Sequence, residues 1–286
     1  MESKDHNGLR SKVEFIIEFE EGKLFRDLID AIKQINDRGW FKFNKSGFGY
    51  SQYSEENKIW IDITIDGTGL KYEFKCNDSD YAVELEIKSI KNNLSQVSAK
   101  DGIKIYKLLN EQNIYFQRTS KLVNVSKSVC CMAIPNVVKE HQEYNPPEYA
   151  EGEDKPTITV GSIEFKKELS SIIKTGSQIN EIHITKNSVT FAGANQEKTS
   201  TAVAQFDANP GIKISGLERY SPVISKKEFN ISIEVSKKVL KYFSKISTLT
   251  KSNGIKLFVQ ENLPLKIVSN FGTHGTIKSY IDIGQN

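Results

Sequence analysis

The chain has 286 residues, 38% hydrophobic and 26% charged, a balance that suits two globular domains and excludes disordered or fibrous classes. No apolar run is long enough to span a bilayer as a helix, and Met1–Ser11 lacks the apolar core of a secretory signal. Net charge is only +3, so any binding to polyanions must depend on where the cations sit rather than on their sum.

In chain order, residues 1–11 read as a flexible polar tail. Val13–Glu20, rich in Phe and Ile, predicts a strand broken by Glu21-Gly22. Leu24, Leu28, Ala31, Ile32 and Ile35 then recur at helical spacing. Trp40–Phe43 and Phe48–Tyr53 flank Asn44-Lys45-Ser46-Gly47 and predict a hairpin. Ile59, Ile61, Ile63 and Ile65 alternate with polar neighbours as a strand does, and Gly67-Thr68-Gly69 turns the chain. Strands are expected at Lys71–Lys75 and Val83–Glu86, and a second helix at Ile87, Ile90, Leu94 and Val97. Further strands follow at Gly102–Leu109, Asn113–Arg118 and Ser126–Ile134.

Between Pro135 and Pro156 aliphatic residues nearly vanish, Val137 and Val138 excepted, and the segment reads as a connector. Beyond it the plan returns. Ile158–Phe165 leads into a helix around Phe165–Ile173, Ile182–Phe191 forms a hairpin, and Thr201–Phe206 forms a strand. Val235–Ile246 gives the fourth helix, and strands follow at Ile255–Val259, Leu265–Ser269 and Thr276–Ile283. The domains are therefore residues 12–135 and 157–286, joined by 136–156. With strands outnumbering four short helices, the class is α+β, two similar domains of antiparallel sheet with helices on one face, and not a doubly wound parallel sheet.

Residues 24–51 recur without a gap at 165–192, 141 positions later. The match keeps apolar positions and, within the helix, two basic ones: Arg26 and Lys33 return as Lys167 and Lys174. At 100° per residue these cations project away from the apolar stripe. Lys237, Lys238, Lys241 and Lys245 lie off the apolar side of the fourth helix, and Lys88 and Lys91 mark the second. A charged helix face is ordinarily just solvated. Four such helices, two in repeat register, point instead to a shared phosphate-facing surface that binds without reading sequence.

Catalytic patterns are missing from the sequence. Gly67-Thr68-Gly69 is followed by no Gly-Lys-Ser/Thr, and Asp62 and Asp66 fit solvent-facing strand polars better than an acid–base pair. His6, His141, His183 and His274 have no metal spacing, and Cys76, Cys130 and Cys131 fit a reducing compartment better than a disulfide framework. No cofactor and no enzyme activity are expected.

Glu21–Arg26, Phe165–Lys174, Leu240–Lys245, Asn262-Leu263-Pro264-Leu265, Lys278-Ser279-Tyr280, and Cys76 with Asn77-Asp78 resemble segments of the sliding clamps of the proliferating cell nuclear antigen family. The resemblance implies a ring, a homotrimer in most of that family, with helices lining a hole for duplex DNA and sheets outside. It implies a processivity factor that tethers DNA polymerase and other replication and repair enzymes, and a clamp loader as partner. The alternatives are a subunit of a heteromeric checkpoint-type ring and a monomeric clamp-fold processivity factor.

Carried onto this chain, the DNA-facing residues would be Arg26, Lys33, Lys88, Lys91, Lys167, Lys174, Lys238, Lys241 and Lys245, with Lys237 added from its helical position. A groove for partner peptides would involve Tyr53, Val137, Val138, Pro264, Tyr280, Ile281, Asp282 and Ile283. Subunits would join through Val129, Cys130, Cys131, Met132, Ala133 and Ile134 on one edge and Thr201, Ala202, Val203, Ala204, Gln205 and Phe206 on the other. Lys186 would be a modifiable hairpin lysine. Asp27, Asn92 and Ser170 stand where family members often carry a base, and the C-terminal strand lacks the customary proline. The implied location is the nucleus, or a cytoplasmic replication site if the source is viral.

Overall fold

The computed structural model describes residues 13–75, 80–120, 128–130, 156–177, 179–195, 201–208, 230–250 and 254–283. The chain divides into two compact units. The first comprises Met1–Ser54, Ile61–Tyr144 and Asn270–Ile277; the second comprises Glu55–Trp60, Asn145–Ser269 and Lys278–Asn286.

The first stretch of chain forms β1 (Val13–Phe19), α1 (Gly22–Ile32), β2 (Arg38–Asn44), β3 (Gly47–Ser54), β4 (Ile59–Asp66), β5 (Lys71–Phe74) and β6 (Asp80–Glu86). It continues with α2 (Ile87–Leu94), β7 (Asp101–Leu108), β8 (Ile114–Ser120) and β9 (Ser128–Cys130). In the first unit β5-β1-β7-β8-β9 form one sheet and β4, β3, β2 and β6 lie side by side in another. Later come β10 (Ile158–Val160), α3 (Ser162–Lys174), β11 (Ile179–Thr185), β12 (Ser188–Ala194), β13 (Thr201–Asp207), β14 (Asn230–Glu234) and α4 (Lys237–Ile246). The last strands are β15 (Ile255–Phe258), β16 (Leu265–Phe271) and β17 (Gly275–Ile281). In the second unit the orders are β13-β12-β11-β14 and β10-β15-β16-β17. Every pairing whose register is resolved is antiparallel.

The sequence repeat is a repeat of register. Phe41 faces Tyr50 across one hairpin, and Ile182 faces Phe191 across the other, at the same 141-residue offset. Phe41 also faces Val83, as Ile182 faces Ile233, so β14 matches β6 at an offset of 150. A slip of one residue would turn each buried set to solvent, so burial holds the register in place.

Each unit has its own core. In the first, Phe15 stacks on Phe43 at 4.2 Å, Phe43 reaches Phe48 at 5.8 Å, and Phe19 stacks on Phe25 at 5.0 Å. In the second, Phe165 packs on Phe206 at 5.2 Å and on Phe191 at 5.7 Å. Each such side chain, fully buried, contributes about 1.5–3 kcal/mol relative to exposure.

Several element limits differ from the sequence expectation. Helix α1 begins at Gly22, not after it, because that backbone runs against β7: a Cβ on Gly22 would lie 2.7 Å from the Asp101 carbonyl oxygen. It ends at Ile32, and Ile35 is buried from the turn that follows. The stripe of α1 is also rotated. Phe25 and Ile29 are buried, whereas Leu24 is only half-buried. Helix α3 starts at Ser162, ahead of the expected Phe165. Val235 is not helical: its N–H donates to the Asn180 carbonyl, which extends the ladder of β14, a strand that the apolar spacing does not predict.

Candidate nucleic-acid interface

Each unit packs two helices side by side, and their outward faces carry the predicted cations. In the first unit, most of these cations are engaged. The Arg26 guanidinium donates to the Val97 carbonyl at 2.5 Å and to the Asp27 carboxylate at 2.9 and 3.2 Å. It therefore ties α1 to the turn after α2. Lys33 pairs with Asp37 one turn on. Lys91 of α2 reaches across to Asp30 of α1 at 2.5 Å. Lys88 is exposed and has no acidic partner among the described residues.

The second unit differs. Lys167, Lys174 and Lys241 are exposed and have no acidic partner among the described residues; Lys237, half-buried, has none either. Lys238 pairs with Glu56 at 2.8 Å, both side chains being more than half exposed, and such a pair is worth at most about 1 kcal/mol. Lys245 is half-buried in the last turn of α4. Lys166 is exposed as well and was not anticipated. It stands at the repeat position of Phe25, and the signal was available in the sequence, since an aromatic core position in one copy is a lysine in the other. Where α3 meets α4, the hydroxyls of Ser170 and Ser244 lie 3.2 Å apart.

The register relates the two faces residue by residue. Asp30 matches Ser171, and Lys91 matches Lys241. The acid that engages Lys91 therefore has no counterpart beside Lys241. Asp37 matches Gln178, which lies outside the described residues. Helix α4 contains four lysines and no acid in ten residues.

The residues expected for a partner groove fall as follows. Tyr53 is half-buried in β3 of the first unit. In the second unit Pro264 and Ile283 are half-buried and Asp282 is exposed, while Tyr280 and Ile281 are buried, at 6% and 0% exposure. Val137 and Val138, with the connector up to residue 155, lie outside the described residues, as do Cys131, Met132, Ala133 and Ile134. Val129 and Cys130 belong to β9, and Thr201–Phe206 to β13. Both are edge strands of their sheets. On β13, Thr201, Val203 and Gln205 point outward, Ala202 is half-buried, and Ala204 and Phe206 are buried. Lys186 is exposed in the β11–β12 turn.

Two titratable groups are displaced. The Asp66 carboxylate accepts hydrogen bonds from Thr68, which lowers its pKa and caps the short turn Gly67–Gly69. Burial raises the Tyr242 phenol well above its ordinary range, against the smaller opposing effect of its hydrogen bond with Ser279. Neither belongs to a cluster with reactive geometry. Among the described residues no group of His, Cys, Asp or Glu could hold a metal ion, and no helix is long and apolar enough to cross a membrane.

No protein-family model and no curated protein matches the chain. Among solved structures, the Proliferating Cellular Nuclear Antigen from Entamoeba histolytica is similar in fold, with a TM-score of 0.70 at 17% identity over 96% of this chain and all of that one. The clamp fold that the resemblance implied is thus the fold of the chain.

Proposed function

We propose that this chain is a DNA sliding clamp: a homotrimeric ring that encircles duplex DNA without reading its sequence and tethers polymerases and other replication or repair enzymes. The observation that carries this reading is the set of exposed lysines Lys167, Lys174 and Lys241 on α3 and α4, which have no acidic partner among the described residues, on a clamp fold. Exposed ammonium groups such as those of Lys167, Lys174 and Lys241 suit phosphates, which are everywhere the same along a duplex. Positioning by phosphates alone permits sliding, which a processivity factor needs.

Edge-to-edge joining of β9 with β13 of a neighbour would close the ring, since each is the outermost strand of its sheet among the described residues. The resident partners would then be a loader and enzymes carrying short peptide motifs, received near Pro264, Asp282 and Ile283. Such a protein works where DNA is replicated, in the nucleus or a viral replication site.

Mass under native conditions tests assembly. A species near three times 32.3 kDa at micromolar concentration is expected, and a monomer would overturn the ring. Retention tests encirclement. The ring should stay on a duplex whose ends are blocked after mixing and run off one whose ends are free. Equal retention on both would remove the sliding-clamp reading and leave a simple DNA-binding protein. A monomer that nevertheless stimulates a polymerase would favour the clamp-fold processivity factor.

A further inference from the structure

The repeat makes the two helix pairs equivalent in backbone but not in charge. In the first unit Asp30 and Asp37 sit on the outward face, each holding a lysine. An exposed ion pair of this kind contributes under about 1 kcal/mol, so a phosphate could displace it. The released carboxylate would stay beside the phosphate and repel it, and the net gain from that lysine is near zero. In the second unit the position of Asp30 is Ser171, an exposed residue of α3 lying between Lys167 and Lys174. Helix α3 also carries Glu164 and Glu168, but Lys167, Lys174 and Lys241 have no ion-pair partner among the described residues and keep their charge available.

We infer that the two units do not share the DNA backbone equally: Lys167, Lys174 and Lys241 of the second hold it, while Asp30 and Asp37 withhold Lys91 and Lys33 of the first. This rests on the proposed function, since it concerns the same helix faces. It makes Asp30 and Ser171 the determinants of the imbalance. In a ring of three copies, strongly and weakly attracting faces would alternate. Lys88, exposed on the first unit with no acidic partner among the described residues, would still touch the duplex, so the two faces would differ in strength and not in presence.

The test exchanges the two determinants in the full chain. Binding to a fluorescein-labelled duplex of mixed sequence is followed by anisotropy over a range of salt, and thermal midpoints confirm folding of each variant. Ser171→Asp places the first unit's acid on the second. It should weaken binding several-fold at low salt and make the salt slope shallower by about one, the equivalent of one phosphate contact. Asp30→Ser should do the reverse, with tighter binding and a slope steeper by about one. Deleting the whole pair with D30A/K91A should leave affinity within about twofold, whereas K241A loses as much as Ser171→Asp.

If D30A/K91A weakens binding as much as K241A, the first unit holds DNA too. The inference then fails while the clamp reading survives. If the unmodified chain binds no duplex at low salt, the clamp reading fails and this inference falls with it.

Discussion

The two units solve the same packing problem with opposite helices. In the first, α1 is the deeper helix: Phe25, Leu28, Ile29, Ala31 and Ile32 are all buried, and α2 buries Ile87, Ile90 and Leu94. In the second, α3 buries only Phe165, Leu169 and Ile172, while α4 buries Val239, Leu240, Tyr242, Phe243 and Ile246. The strands beneath keep one register in both copies. Strand register is fixed by a hydrogen-bond ladder that tolerates no half-steps. A helix on a sheet can roll about its axis and exchange which residues it buries. Duplication therefore conserved the sheets and released the helices, and the polar face of α3 widened as its buried stripe narrowed.

The hairpins diverged in size as well. Phe41, Phe43, Phe48 and Tyr50 of the first unit are Ile182, Ile184, Val189 and Phe191 in the second, and all are buried. The largest expected effect breaks this comparison at Phe43. Its ring meets Phe15 at 4.2 Å, Phe48 at 5.8 Å and Tyr81 at 6.4 Å. Phe43→Ala should cost about 3–5 kcal/mol, near the top of the range for a buried aromatic because ring pairs are lost with the area. Ile184→Ala should cost about 2–4 kcal/mol. Urea unfolding followed by segment-resolved hydrogen exchange measures both. A larger loss for Ile184→Ala would show that the aromatic network adds nothing beyond its area.

Much of this architecture was legible in the sequence. Apolar spacing located the four helices of the described residues, turn residues located the two hairpins of the repeat, and the ungapped repeat already contained the register. The failures share a cause, which is that they depend on tertiary placement. Arg26 read as a solvent cation, but its partner is a carbonyl 71 residues away in sequence. Lys91 read as free, but Asp30 faces it from another helix. Counting a fixed 100° from Leu24 placed the stripe of α1 half a flank away from Phe25 and Ile29, because the helix axis is set by what it packs on. Val235 shares helical spacing with Val239 and Phe243, so the strand before α4 was absorbed into the helix. Lys166 occupies a position that is apolar in the other copy, so the matched positions of the repeat do not mark it.

A smaller effect is expected at Tyr242, which has no counterpart in the first unit: the matching residue there is Asn92, exposed on α2. The Tyr242 hydroxyl lies 2.8 Å from that of Ser279, and both side chains are fully buried. Tyr242→Phe should cost about 1–2 kcal/mol, the lost hydrogen bond plus a partly stranded Ser279. The pH dependence is more specific. Burial raises the folded-state pKa of Tyr242 above the unfolded value near 10. Its contribution is thus complete below about pH 10. As pH rises further the unfolded chain ionises there and the folded chain does not, so stability falls by about 1.4 kcal/mol per pH unit from this group. Thermal midpoints taken between pH 9 and pH 11.5 should fall more steeply for the unmodified chain than for Tyr242→Phe. Parallel curves would mean that the phenol is not protected.

The smallest effect tests whether the helix pairs are interchangeable where they meet. Ile29 and Leu94 of the first unit match Ser170 and Ser244 of the second, where two hydroxyls pair at 3.2 Å. Removing one partner alone, as in Ser170→Ala, leaves the other hydroxyl half-buried and should cost about 0.5–1 kcal/mol. Replacing both with the residues of the first unit, Ser170→Ile with Ser244→Leu, exchanges a hydrogen bond for apolar area. Each added methylene that becomes buried returns about 0.8 kcal/mol. The double variant should therefore be within about 1 kcal/mol of the parent and more stable than Ser170→Ala, as read by urea midpoints at constant slope. A double variant less stable than the single one would mean that α3 and α4 are too close for the larger side chains. The helices would then have diverged in spacing as well as in roll, and the serines would be the condition for bringing the lysine faces of α3 and α4 side by side.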